Sequence, residues 1–211
     1  MKKSVYSLVL MDDVIRAVDE KACQLGTSRS NLINQILAQH LSCITPEMRI
    51  REIFDSMNEL VSSTFRVQQQ RSLMTMNTAL EYKYRPTLSY RVELERVPAQ
   101  FLGTLKVSIR TQSSALSMAF MKFFQYWSKF ESQIMEKHGL PYACAAGNNS
   151  FSRRLLNCPG QDCETQGSAI SRYIAILDGS IKLYLADGDA FRERLPGIAA
   201  KYEDLLDQTS I

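Results

Sequence analysis

Residues 5–10, "VYSLVL", place Tyr6, Leu8 and Leu10 on one face and Val5, Ser7 and Val9 on the other. A period of two in residues that suit a pleated backbone predicts a short β-strand. A period near 3.6 follows at once. In "MDDVIRAVDEKACQLG" the residues Val14, Ile15, Val18, Ala22 and Leu25 fall at helical spacing. Asp12 and Asp13 are the expected cap and N-terminal charge, and Gly26 is the expected stop. "TSRSNLINQILAQHL" restarts the pattern with Ser28 as cap and Leu32, Ile33, Ile36, Leu37 and Leu41 as the apolar stripe. The order is strand, helix, glycine turn, helix.

A module of about forty residues buries too little core to stand alone. Its single strand also has no partner for its backbone groups. Two copies pairing their strands across a two-fold axis would meet both needs, and the resulting two-stranded ribbon fits the DNA major groove. Residues 4–41 resemble the ribbon-helix-helix family of DNA-binding proteins, the Arc/MetJ/CopG superfamily. The strand "VYSLVL", the acidic helix start "MDDV" and the turn "LGTSRSNLI" carry the resemblance. It implies a homodimer on double-stranded DNA, with Val5, Ser7 and Val9 reading base edges. It further implies that Ser28, Arg29 and Ser30 form a phosphate clamp, where amide donors and the helix dipole favour an anion. Lys2 and Lys3 would add backbone contacts. The chain departs from the family in having two valines on the reading face, where polar or charged residues are usual. Valine cannot hydrogen-bond a base and can only pack against features such as a thymine methyl. Readout is then expected to lean on Ser7, Lys3 and DNA shape.

Beyond this module, "CITPEMRIREIFDSMNELVSSTFRVQQQ" predicts a helix from Pro46 with Ile50, Ile53, Phe54, Met57, Leu60, Val61 and Phe65 as its stripe. The pattern fades around Gln68, Gln69 and Gln70, where a junction is expected. Three parts result: residues 1–45 as the DNA-binding module, 46–70 as a connecting helix, and 71–211 as an α+β domain for oligomerisation or ligand sensing. Within the last part the period returns to two at Leu80, Tyr82 and Tyr84, at Leu88, Tyr90, Val92 and Leu94, and at Leu105, Val107 and Ile109. Three strands of a mostly antiparallel sheet are predicted. Lys83, Arg85, Arg91, Lys106 and Arg110 fall on the other faces, mixed with Glu81, Glu93 and Glu95. A basic surface contacting DNA is one reading, and the interleaved glutamates favour a solvated sheet face over it. "SSALSMAFMKFFQYWSKFESQIMEKHG" predicts a long helix packed on the sheet through Leu116, Ala119, Phe120, Phe123, Phe124, Trp127, Phe130 and Ile134, ended by Gly139.

Residues 140–167 are polar and rich in glycine and asparagine, which predicts a loop. His138, Cys144, Cys158 and Cys163 are the candidate ligands for a zinc ion. However, "CPGQDC" puts four residues between its cysteines and the other gaps are irregular. Ordinary thiols are therefore expected, with no metal or other cofactor. The tail reads as a hairpin turning at Asp178 and Gly179 and then a helix divided at Pro196. A helical reading of residues 173–185 stays open, because short apolar runs are ambiguous. The fold class expected for the whole chain is α+β.

Composition narrows the function classes. A net charge of +3 over 211 residues permits a nucleic-acid partner without requiring one. No apolar run approaches the roughly 20 residues needed to span a bilayer, so no membrane partner and a cytoplasmic location are expected. Five widely spread cysteines argue against a disulfide framework. No P-loop, dinucleotide glycine motif or nucleophile elbow is present, and an enzyme is not expected. The leading expectation is a homodimeric transcription regulator, in which dimers are free to assemble further and an effector would act through the second domain. The alternative is a plasmid or mobile-element accessory protein, for partition, copy control or the relaxosome, whose second domain docks other proteins.

Overall fold

The computed structural model describes residues 7–41, 43–82, 85–209 and 211. The chain divides into two compact units, Met1–Arg49 and Ile50–Ile211.

In the first unit, α1 (Asp12–Gln24) and α2 (Arg29–His40) form where the helical period predicts them. Gly26 ends α1 with φ of +58°, the left-handed conformation glycine adopts without a Cβ clash. The Gly26 and Thr27 amides then donate back to the carbonyls of Cys23 and Ala22 at 3.1 and 2.9 Å, a Schellman closure. Ser28 caps α2 as expected, its hydroxyl accepting from the Asn31 amide at 3.3 Å. The cap of α1 differs. Met11 occupies that position without a side-chain bond, and Asp12 and Asp13 fall inside the first turn, where their charge opposes the helix dipole. Residues 7–10 are assigned to neither helix nor strand. A strand requires a hydrogen-bonded neighbour, and the described residues offer none to this segment.

The second unit begins within α3 (Pro46–Val61), whose stripe of Ile50, Ile53, Phe54, Met57 and Val61 is buried in that unit's core, while Leu60 is exposed. The helical pattern therefore ends at Val61, and Gln68 and Gln69 lie in a strand. The sheet contains β1 (Arg66–Gln69), β2 (Leu73–Ala79), β3 (Thr87–Leu94), β4 (Phe101–Ile109), β5 (Cys144–Ala146) and β6 (Ser150–Leu156). It is antiparallel throughout, in the order β1-β2-β3-β4-β6-β5. Met74 and Met76, Leu88, Tyr90, Val92 and Leu94, Leu105, Val107 and Ile109, and Phe151 and Leu155 face one shared core. α3, α4 (Ser114–Lys137), α5 (Cys163–Ala186) and α6 (Gly188–Gln208) contribute to that same core. The long helix α4 carries its predicted aromatic stripe inward, with Phe124 stacked on Phe151 of β6 at 4.4 Å between ring centroids.

Four expectations change here. Leu80 and Tyr82 lie in the β2–β3 connection, not in a strand, and Tyr84 lies outside the described residues. The loop expected over residues 140–167 contains β5 and β6. The hairpin expected at Asp178 and Gly179 is the middle of α5, so the helical alternative holds. Its buried stripe of Ile170, Tyr173, Ile174, Leu177 and Ile181 outweighs the cost of about 1 kcal/mol for one helical glycine. Finally, α6 runs through Pro196 without dividing. Arg192, the residue whose carbonyl loses its bond there, is exposed.

Candidate functional site

The first unit's candidate residues sit around the start of α2. Ser28, Arg29 and Ser30 are all exposed there, on backbone whose free amides begin a twelve-residue helix. Ser7 and Val9 are exposed as well, Val9 completely. Lys2, Lys3 and Val5 lie outside the described residues. Arg29 has a partner that sequence reading missed: its Nε and Nη2 donate to the two carboxylate oxygens of Asp19 on α1. This forked ion pair raises the Arg29 pKa, through the hydrogen bond first and the charge second, and ties the two helices together. It also places a carboxylate beside the proposed phosphate clamp. Removing it gives a direct test. Asp19→Asn is expected to strengthen binding to any duplex and to steepen the salt dependence by about one unit of log–log slope. Its cost to stability should be small, because the pair is half exposed and screened by solvent. A salt titration on random duplex decides the matter, and unchanged affinity would place Arg29 away from DNA.

Around these residues the unit is poorly filled. Among the described residues only Val18, Ala22 and Leu32 form its buried core, with Ile33 packed on them. Leu8, Val9, Val14, Ile36, Leu37 and Leu41 are exposed. Much of the predicted stripe of α2 thus faces outward.

The zinc candidates are not brought together. His138 caps the C-terminus of α4 with Nδ1 3.8 Å from Asp207, Cys144 is exposed on β5, and Cys158 and Cys163 are half-buried before and at the start of α5. Among the described residues no group of three or more His, Cys, Asp or Glu is arranged to hold a metal ion. Nor is any described helix long and apolar enough to cross a membrane.

Two buried polar networks lie in the second unit. Glu131 of α4 and Arg153 of β6 are fully buried and 3.3 Å apart. The hydroxyls of Tyr142 and Tyr202 donate to the Glu131 carboxylate at 2.7 and 2.9 Å. Arg153 donates to the main-chain oxygen of Ile211 at 2.6 Å, and its guanidinium lies 4.4 Å from the centroid of the Tyr173 ring. In the other network Tyr90 donates to Asp178 at 3.0 Å, and Lys182 bridges Asp178 and Thr78 at 2.7 and 3.0 Å. Neither Glu131 nor Arg153 meets solvent, and their network ties α4, β6 and α6 to one another.

These networks are expected to weaken the fold at alkaline pH. Burial first, and the neighbouring carboxylates after it, raise the pKa of Tyr90 and Tyr173, and burial does the same for Tyr202. A phenol whose folded pKa is raised contributes its full stability below the unfolded value near 10. Above that, the unfolded chain releases protons that the fold retains. The three phenols together should then cost about 4 kcal/mol per pH unit. Melting temperatures are expected to hold steady up to about pH 10 and fall steeply beyond it. A flat profile to about pH 11 would contradict this assignment of the buried phenols.

Compared with known protein families, with curated proteins and with solved structures, the chain matches none.

Proposed function

We propose that the chain is a homodimeric, sequence-specific DNA-binding protein, a transcription regulator that places a two-stranded ribbon from paired first units in the major groove. The observation that carries this reading is the first unit's unfilled core: among the described residues its two helices bury three side chains and leave several Leu, Ile and Val side chains exposed. Apolar surface of this kind on so small a unit calls for a second copy. Residues 5–10 of both copies then supply each other's missing strand partner. Ser7 and Val9, exposed in the single chain, become the outward face together with Val5. The start of α2 meets phosphate through its free amides, with Ser30 and an Arg29 shared with Asp19.

Affinity of the full chain measured across a salt series, on random duplex and on its own upstream region, tests the reading. Steep salt dependence with tighter binding to the upstream region is the expected result. Binding to both at the same weak level would overturn sequence-specific recognition.

A further inference from the structure

The strand register brings together charges that the sequence keeps apart. Arg91 of β3 stands directly opposite Lys106 of β4, between Thr75 of β2 and Ser152 of β6 in the same cross-strand row. The next row holds Arg66, Asn77, Ser89, Ser108 and Ser150. None of these side chains is buried, so the sheet has a solvent-facing surface of small hydroxyls and amides around exposed cations. Like charges directly opposite in a sheet repel and destabilise it. Nothing nearby relieves this pair: among the described residues Arg66, Arg91 and Lys106 make no ion pair or side-chain hydrogen bond.

The acids that made this surface look balanced are mostly absent from it. Glu81 lies outside the strands, and Glu95 is engaged by Arg154 at 2.5 Å. Glu93 alone remains, one row along from Arg91 and Lys106.

We propose that this open sheet face is a second DNA-binding surface, on which Arg91 and Lys106, with Arg66, hold the phosphates of duplex DNA. The inference rests on the DNA-binding reading of the first unit and extends it to the second. An anion would turn the repulsion between Arg91 and Lys106 into shared attraction, since directly opposed strand residues have Cβ atoms only about 5 Å apart and both flexible cations can reach one anion. Serine, threonine and asparagine around them are donors to phosphate oxygens. A protein partner would need apolar or aromatic anchors at the centre of its interface, and these rows have none. A single strand would need free aromatic faces for stacking. The ring at the corner of the sheet, Phe101, is covered by the Arg154 guanidinium at 4.8 Å. Duplex backbone is the occupant that remains.

The test uses the full chain, native and carrying Arg91→Ala with Lys106→Ala, titrated with random and upstream duplex over a salt series. The double variant is expected to bind both duplexes less tightly, by on the order of tenfold to a hundredfold at about 0.1 M salt, with a log–log slope shallower by about 1.8. Its melting temperature should equal or exceed the native one, because a repulsion has been removed. The single variant Lys106→Glu sets a carboxylate opposite Arg91, and should melt higher and bind still more weakly. A native chain that binds DNA while the double variant matches it in slope and affinity overturns this surface and leaves the first unit's role intact. A native chain that binds no duplex overturns both. Polyglutamate binding to the native chain in preference to duplex would assign the face to an acidic protein and refute the proposal.

Discussion

Glu131→Ala is expected to cost about 3–5 kcal/mol of folding stability, because it leaves the Arg153 guanidinium charged and buried without its counter-ion. The hydroxyls of Tyr142 and Tyr202 lose their acceptor in the same step. What remains for Arg153 is the Ile211 main-chain oxygen and the face of Tyr173. In a chain of this size the loss corresponds to a fall in melting temperature of about 6–20 °C. Most proteins are stable by only about 5–15 kcal/mol, so the variant should be visibly compromised at physiological temperature. Replacing both partners, Glu131→Leu with Arg153→Leu, should cost less than the sum of the single changes, since no buried charge is left unpaired. Thermal melts of Glu131→Leu, of Arg153→Leu and of the double variant measure that coupling. Additive losses would mean that the two charges stabilise the fold independently.

The same pair explains why part of the fold escapes sequence reading. The apolar stripe of α4 runs through Phe120, Phe124 and Trp127, and its next inward position is Glu131. A glutamate there looks like the polar boundary of the stripe, yet the helix carries it into the core beside Met135. On β6 the alternation of "SFSRRLL" is spoiled for the same reason, since Arg153 takes an inward position between Phe151 and Leu155. Two charges that satisfy each other across the core are each illegible alone. β2 is obscured differently, because its inward residues are the methionines Met74 and Met76, which carry little strand preference. By contrast α3, α4, β3 and β4 bury stripes of ordinary aliphatic and aromatic residues, and their periods are plain, while α1 and α2 are legible from a period whose stripe stays largely exposed.

At the candidate sites the division falls in the same place. Ser28 as a cap is a local relationship, three residues from the amide it serves. The hold of Asp19 on Arg29 spans the glycine turn, and the meeting of Arg91 with Lys106 depends on strand register. Both need the fold before they can be seen. They also change the chemistry: one ties up a cation at the start of α2, and the other sets two cations side by side on a surface whose sequence interleaves them with glutamates.

Leu8 is 60% exposed and Val9 fully so, and Ile36 and Leu37 are half exposed on α2. In an isolated chain Ile36→Asp is a surface change within about 0.5 kcal/mol of neutral. Between two copies it brings a pair of unpaired carboxylates into an apolar interface, one from each chain, at a cost of several kcal/mol. Dimer dissociation should then rise by on the order of a thousandfold while the melting of the larger unit stays put. Proline in the presumptive ribbon probes the strand itself. In an antiparallel pair successive amides point alternately to the partner and to solvent, so of Leu8→Pro and Val9→Pro one must remove a ladder bond and the other need not. One variant should therefore sediment as a single chain of 24.0 kDa and lose DNA binding, and its neighbour should be better tolerated. If both prolines leave mass and DNA affinity unchanged, residues 5–10 do not form the ribbon. A native chain that is monomeric at the outset would remove the partner altogether, and with it the reason for the exposed face.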